Sequence, residues 1–405
     1  MSATHLRILH QAYLRNGAWG GMEKSFAGFV EATRDDPTID NYVVENLRGA
    51  APGLCKALRH LSAPAREVRR WHGLPLPRAL RPAYRRTTAR HWRVNRVINW
   101  NQVGQAEAAR LARGVGAASV YWERGAAWFT DVPDRDADFA TAYDLYLANS
   151  HASRQMLREL WNVRRPVEVC TPALSSNLIE AAPRSLRADR PLRLGFAARL
   201  RAFKGGVLAV HALATLRARG VDARLVVAGD GPDLSAMQEQ AVRLGLHKHV
   251  HFLGWVSSID RFLADVDVLL HPALREPYGI SCAEALLRGV PVVASRVDGI
   301  PEVIMDGVDG ICVTPQRPLS DFARYGGDRA DVYPLVFRPE RDAVGEPGVV
   351  DPDALADAVL QITSDPKRYA AFSAAGCAAA HARFDYGAHL ARFTGLLATV
   401  GATPS

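Results

Sequence analysis

Short apolar runs alternate with amphipathic stretches along almost the whole chain, and the runs have the lengths of strands and helices. Residues 6–10 form a first apolar run. The turn-rich segment 16–21, NGAWGG, follows, and then a helical pattern from residue 22 to about 33. Further strands are expected at 41–44, 97–100, 119–122, 145–148 and 167–170, with helical patterns at 105–113 and 153–160. Strand, glycine loop and helix in repetition predict a mostly parallel, doubly wound sheet that ends near Leu174.

Residues 180–191, EAAPRSLRADRP, carry two prolines and no apolar period, the composition of a linker. Beyond them the alternation restarts. Strands are expected at 192–196, 224–228, 250–253, 266–270, 290–294 and 310–313, and helices at 206–219, 234–244 and 282–287. Residues 315–350, rich in Pro, Gly and Asp, fit a doubly wound domain only as an insertion or long loop. The fold class is therefore α/β, with two doubly wound, Rossmann-like domains facing an interdomain cleft. Residues 1–185 are expected to form the first domain and 186–370 the second, with helices in 371–405 packing back on the first. Ligands would sit at the carboxyl ends of the strands.

Composition narrows the class. The chain has 405 residues, 48% apolar and 23% charged, which fits a globular protein of two domains and excludes a fibre or a disordered chain. No apolar run approaches the ~20 residues that span a bilayer. The first ten residues lack the basic start and apolar middle of a secretory signal, so a cytoplasmic protein is expected. Five scattered cysteines, Cys55, Cys170, Cys282, Cys312 and Cys377, without a C-x-x-C pair suggest buried thiols, not a disulfide framework or a zinc site.

Charge is uneven. Residues 51–100 hold twelve Lys or Arg against one acid, Glu67, although the whole chain carries only +8. Trp71, Leu74, Leu76, Leu80, Tyr84 and Trp92 are interleaved with these cations. Such a block attracts nucleic acid, an anionic membrane surface or an acidic substrate, or is simply a solvated Arg-rich helical face. The prolines of 74–77, LPLP, argue against one continuous amphipathic helix. Nucleic acid has charge alone in its favour, because no known recognition motif is present.

The sharpest chemistry lies in 275–294, REPYGISCAEALLRGVPVVA. Two carboxylates, Glu276 and Glu284, are separated by seven residues. Gly279 stands between them, just ahead of a predicted helix whose free N–H groups at Gly279, Ile280 and Ser281 suit a phosphate. The carboxylates would accept hydrogen bonds from sugar hydroxyls. A second reading is equally open: Ser281 to Glu284 fits the S-x-x-E capping box, in which Glu284 merely closes its own helix.

The segment resembles the E-x7-E signature of retaining glycosyltransferases of family 4, which have the two-domain GT-B fold. Four other segments match that family in order: 196–205, FAARLRAFKG; 227–232, VAGDGP; 252–255, FLGW; and 298–302, DGIPE. The resemblance is dense over 192–313. It reaches the first half only through the Gly20-Gly21 loop and the strand pattern. It implies that Arg199 and Lys204 hold the diphosphate of a nucleotide-sugar donor, that Glu284 holds the ribose hydroxyls, and that Glu276 holds the transferred sugar beside Gly279 and Ile280. Gly20 and Gly21 would let the first loop approach the phosphates. Two fixed cations can stabilise a departing diphosphate without a metal, so neither a metal nor a cofactor is expected. Without these motifs, Arg199 and Lys204 would read as solvated surface charges, and Glu302 also fits a simple brace of its turn.

Many members of that family carry a histidine after a middle strand of the first domain. The comparable stretch here, 120–125, VYWERG, has none, which makes Glu123 and Arg124 candidate cleft residues or, equally, an ion pair at a strand end. The implied function is transfer of a sugar to a glycan or lipid-linked glycan in cell-surface polysaccharide or lipopolysaccharide biosynthesis, in the cytoplasm or peripherally on the inner face of the membrane. A catalytically inactive scaffold on the same fold, or an epimerase-like or phosphorylase relative, are the alternatives. A nicotinamide-dependent oxidoreductase is disfavoured, because Leu234 stands where the third glycine of its fingerprint belongs.

Overall fold

The structure, a computed structural model, describes residues 4–12, 20–71, 73–174 and 182–401. The chain forms two compact units, Met1–Ser175 with Tyr386–Ser405, and Ser176–Asp385. The first contains a seven-stranded sheet: β1 (Leu6–Ala12), β2 (Ile39–Glu45), β3 (Arg66–Glu67), β4 (Arg96–Trp100), β5 (Ala118–Glu123), β6 (Leu145–Ala148) and β7 (Val167–Val169). Their order is β3-β2-β1-β4-β5-β6-β7, parallel throughout, which is a doubly wound sheet. The helix α1 (Gly21–Ala32) follows β1. The central strands β4 and β5 have no exposed or half-exposed position, so both of their faces are covered.

The second unit repeats the scheme. Strands β8 (Leu192–Ala197), β9 (Ala223–Ala228), β10 (Val250–Phe252), β11 (Val268–His271), β12 (Val292–Ser295) and β13 (Gly310–Val313) run parallel in the order β10-β9-β8-β11-β12-β13. The helices α2 (Gly206–Ala218) and α3 (Ile280–Leu287) follow β8 and β11. In both sheets the first strand is central and the order reverses beside it.

The division of the chain differs from the expected one at both ends. The 18-residue helix α4 (Pro366–Arg383) belongs to the second unit. Its polar groups are bonded into that core: Ser373 Oγ donates to the Gly289 carbonyl at 2.6 Å, Tyr369 to that of Asp267 at 3.0 Å, and Arg383 pairs with the buried Asp309. Only α5 (Tyr386–Thr399) returns to the first unit. There Phe393 packs 4.1 Å from the Trp122 ring, and the buried Arg96 donates to the Leu397 carbonyl at 2.6 Å.

Residues 315–350 are built, not loose. They contain two small antiparallel pairs, Arg317–Pro318 with Gly348–Val349 and Val336–Arg338 with Ala343–Gly345, and two 3₁₀ turns. Four of the cysteines are buried as expected, but Cys55 is exposed. Among the described residues no helix is long and apolar enough to cross a membrane.

The basic block divides in two. Arg85 is only 12% exposed and bridges Glu107 and the largely buried Glu45, the latter at 3.0 Å. Arg66 stacks on Trp92 at 4.9 Å, Arg90 donates to the Gly114 carbonyl, and Arg96 is tied to α5. These cations fasten parts of the first unit to one another, which a charge count along the sequence does not distinguish from free surface charge. Removing Arg85 leaves the Glu45 carboxylate buried without its partner. Arg85→Ala is therefore expected to lower the unfolding free energy by about 3 kcal/mol, read from the midpoint of urea denaturation.

Candidate active site

The site in the second unit is assembled at the carboxyl ends of β8 and β11. After β8 the chain passes Arg199 and enters a 3₁₀ turn, Ala202–Lys204, closed by Gly205 at φ +70°. A β-carbon at Gly205 would lie 2.0 Å from the Pro272 carbonyl oxygen, so only glycine lets this turn pack against the end of β11. That approach brings Lys204 to Glu276. The Lys204 ammonium donates to Glu276 Oε2 at 2.7 Å, and His271 Nε2 lies 2.8 Å from the same oxygen.

Glu276 is held ionised. Burial alone would raise its pKa, but Lys204 and His271 outweigh burial and hold the carboxyl well below the usual carboxylate range. Its backbone is fixed as well, for Glu276 N donates to Asp298 Oδ2 at 2.9 Å. The other Asp298 oxygen accepts the Phe337 amide at 2.7 Å, and Asp298 itself sits at φ +47°, an uncommon conformation for a residue with a side chain. One buried carboxylate thus joins the Glu276 turn to the 315–350 segment.

Gly279, at φ +106°, is the N-cap of α3, and no side chain caps it. The Ser281-x-x-Glu284 capping box is therefore not formed: Ser281 lies inside the first turn, and Glu284 sits a full turn beyond Ile280. Helical spacing puts Glu284 on the same face as Ile280, leaning toward the helix start. Arg199 is exposed and forms no ion pair among the described residues. Glu302 ends the 3₁₀ turn Ile300–Glu302. Arg199, Lys204, Glu276, Gly279, Ile280 and Glu284 all belong to this one unit.

The first-unit candidates fare differently. Glu123 is fully buried; its oxygens accept Tyr121 Oη at 2.5 Å and the amides of Gly125 and Ala127 at 2.6 and 2.9 Å. Burial raises its pKa. It braces the turn after β5, so the expected catalytic role in a cleft has no support from its position. It forms no ion pair with Arg124, whose guanidinium bonds Ser25 at 2.5 Å and stacks on Trp122 at 4.8 Å. Gly20 caps α1, and its amide is already accepted by Glu23 at 2.9 Å. A side chain at Gly21 would meet nothing within 4 Å. Residues 13–19 of that loop, with Gly17 among them, lie outside the described residues.

Three residues of the site were not singled out from the sequence. His271 is 1% exposed, with its Nδ1 unbonded among the described residues. Tyr333, from the 315–350 segment, lies edge-on to Phe203 at 5.4 Å and under the Arg275 guanidinium at 4.5 Å. Asp331 pairs with Arg201 and accepts the Ala202 amide at 2.9 Å. The histidine ending a buried strand five residues before Glu276 was the one legible hint.

Residues 179–324 match the family model described as Glycosyl transferases group 1. An uncharacterized glycosyltransferase of Methanocaldococcus jannaschii is 35% identical over 136 residues, 33% of this chain and 34% of that protein. A GDP-mannose-dependent alpha-(1-6)-phosphatidylinositol dimannoside mannosyltransferase of Mycobacterium tuberculosis is 37% identical over 135 residues, 33% of this chain and 32% of that one. The chain thus spans about a third of the length of these curated relatives. The crystal structure of HepE from Anabaena in complex with UDP aligns over 97% of this chain and all of that one, with a TM-score of 0.72 and 19% identity. The fold is GT-B, with two Rossmann-like α/β units.

A neighbouring carboxylate gives the site a measurable pH signature. Asp233 is 6% exposed, and its Oδ2 has no hydrogen-bond partner among the described residues. Burial, then Asp331 and Asp328, push its pKa up to about 7. A carboxyl whose folded pKa is raised costs stability once pH passes its unfolded value, and the cost grows until pH reaches the folded value. Asp233→Asn should therefore leave stability unchanged below about pH 4 and raise it by roughly 1–3 kcal/mol at pH 8. Denaturation profiles across that range check the sign.

Proposed function

We propose that this protein is a metal-independent, retaining glycosyltransferase of family 4. It would move a sugar from a nucleotide-diphosphate sugar to a glycan or lipid-linked glycan acceptor, in cell-surface polysaccharide or lipopolysaccharide biosynthesis. The single observation that carries the reading is the Lys204–Glu276–His271 cluster beside the uncapped start of α3. The match over 179–324 and the named transferases among the relatives support it. The mannosyltransferase relative, which acts on a phosphatidylinositol mannoside, favours a lipid-linked acceptor and a place in the cytoplasm or on the inner face of the membrane.

The chemistry follows from the charges. The bond between the anomeric carbon and the donor phosphate breaks, and the nucleoside diphosphate leaves with the electron pair. The acceptor oxygen bonds to the anomeric carbon from the face that the phosphate leaves, and its proton passes to a phosphate oxygen. Lys204 and Arg199 stabilise the growing charge, and the free amides at the start of α3 add to it. Glu276, acceptor-only while ionised, orients the sugar hydroxyls, and Glu284 does the same for the ribose. Donor phosphate would compete with Glu276 for Lys204, and His271 would then keep the carboxylate in place.

Thermal unfolding against UDP, GDP, ADP and CMP tests the donor site. A nucleotide at 100 times its dissociation constant should add about 2.7 kcal/mol of stability. Lys204→Met and Glu284→Ala should lose that increment, read against each variant's own ligand-free baseline. Turnover of the matching nucleotide sugar should give a product that keeps the donor's anomeric configuration by NMR. A response that is absent for every nucleotide, or untouched by both variants, removes the reading.

A further inference from the structure

Between Glu67 and Glu107 the chain contains no acidic residue, and within that interval lie three exposed large apolar side chains. Arg70–Trp71 and Leu74–Pro75 form a short antiparallel hairpin in which Trp71 stands directly opposite Leu74. Trp71 is 55% exposed, Leu74 67% and Leu80 54%, although all three would bury readily in a core of this size. The backbone that presents them is fixed. Leu76 N donates to the Arg69 carbonyl at 2.7 Å, and Arg81 Nε to the Leu76 carbonyl at 3.3 Å.

Arg69, Arg70 and Arg78 flank these apolar side chains, and all three are exposed. None forms an ion pair among the described residues, in contrast to Arg85. An isolated exposed leucine is ordinary, but a tryptophan opposite a leucine, ringed by uncompensated arginines, is a different object. Indole and leucyl groups enter the headgroup region, and arginines beside them meet lipid phosphate.

We infer that Arg69, Arg70, Trp71, Leu74, Arg78 and Leu80 form an interfacial anchor for an anionic lipid bilayer, with Trp71 and Leu74 inserting and Arg69, Arg70 and Arg78 contacting the headgroups. A polyanion such as RNA would be held by the arginines without need of the apolar pair; the presence of both favours the bilayer. The anchor lies in the first unit. It does not depend on the transfer chemistry, so its failure would leave the nucleotide response of the second unit untouched.

Co-sedimentation of the full-length protein with vesicles of phosphatidylcholine alone, or with phosphatidylglycerol added, tests the inference. The wild type should bind the anionic vesicles at least tenfold more tightly, with the difference shrinking as salt rises. Arg69→Gln/Arg70→Gln/Arg78→Gln should weaken anionic binding about a hundredfold at low salt. Trp71→Ser/Leu74→Ser should weaken it at both low and high salt, and should do nothing to binding of a single-stranded RNA probe. Far-UV circular dichroism and the urea-denaturation midpoint of the ligand-free protein, unchanged in both variants, show that each is folded. Equal binding to both vesicle types, or anionic binding that survives loss of Trp71 and Leu74, overturns the anchor. Retention on RNA with loss only in the arginine variant would assign the patch to a polyanion instead.

Discussion

An ionised carboxylate almost removed from water must be compensated by opposite charge and donors, or it takes up a proton. At Glu276 the compensation converges on one oxygen, with Lys204 from the first loop of the second unit and His271 from the end of its central strand β11. That requirement dictates much of the surrounding backbone. The 3₁₀ turn must come close enough for Lys204 to reach, which leaves no room for a side chain at Gly205. The Glu276 amide must be anchored, which sets Asp298 in a left-handed conformation. Local strain at Asp298 is tolerated because its two oxygens each take a backbone donor that would otherwise be unpaired.

The 315–350 segment takes on a role in this light. It interrupts the doubly wound scheme, yet its contacts go to the loops after β8, β11 and β12. Asp331 secures Arg201 and Ala202, Tyr333 covers Phe203 and Arg275, and Phe337 takes the second oxygen of Asp298. The loop bearing Lys204 and the turn bearing Glu276 are therefore fixed from the same segment. A cation and an anion held from a common support keep their separation, which the proposed division of Lys204 between a carboxylate and a phosphate would require. The cost is a cluster of carboxylates, Asp233, Asp328 and Asp331, of which Asp233 is the least compensated.

The two sheets were readable from short apolar runs and turn residues because parallel strands buried on both faces announce themselves locally. The pair Glu276 and Glu284 was readable for the same reason: nine residues of sequence contain the whole motif. What escaped was long-range. Arg201 and Asp331 are 130 residues apart, and nothing local in residues 315–350 indicates that they fold over the loop after β8. The destiny of an arginine is equally non-local. Arg85 and Arg70 look alike in sequence, and only the positions of Glu45 and Glu107 make one a buried bridge. The last helices illustrate a third limit. Both α4 and α5 are rich in alanine, and membership of a unit was decided by a few bonded groups, Ser373 and Arg383 in one and Phe393 in the other.

The spacing of the two glutamates has its own physical basis. Glu276 lies before the left-handed turn at Gly279, on a backbone held by Asp298, whereas Glu284 lies in the second turn of α3. From Ile280 to Glu284 is one helical turn, so Glu284 returns to the face above the first free amides. One residue more or fewer in that interval would rotate the second carboxylate by about 100° about the helix axis and carry it off that face. The first carboxylate has no such freedom, because its position is set by tertiary contacts to Lys204 and His271. A seven-residue interval is thus the sum of a turn that only glycine makes easily and one turn of helix, with an anion-binding helix start between the two carboxylates. In the proposed reading a phosphate would lie at that helix start, where Lys204 neutralises Glu276.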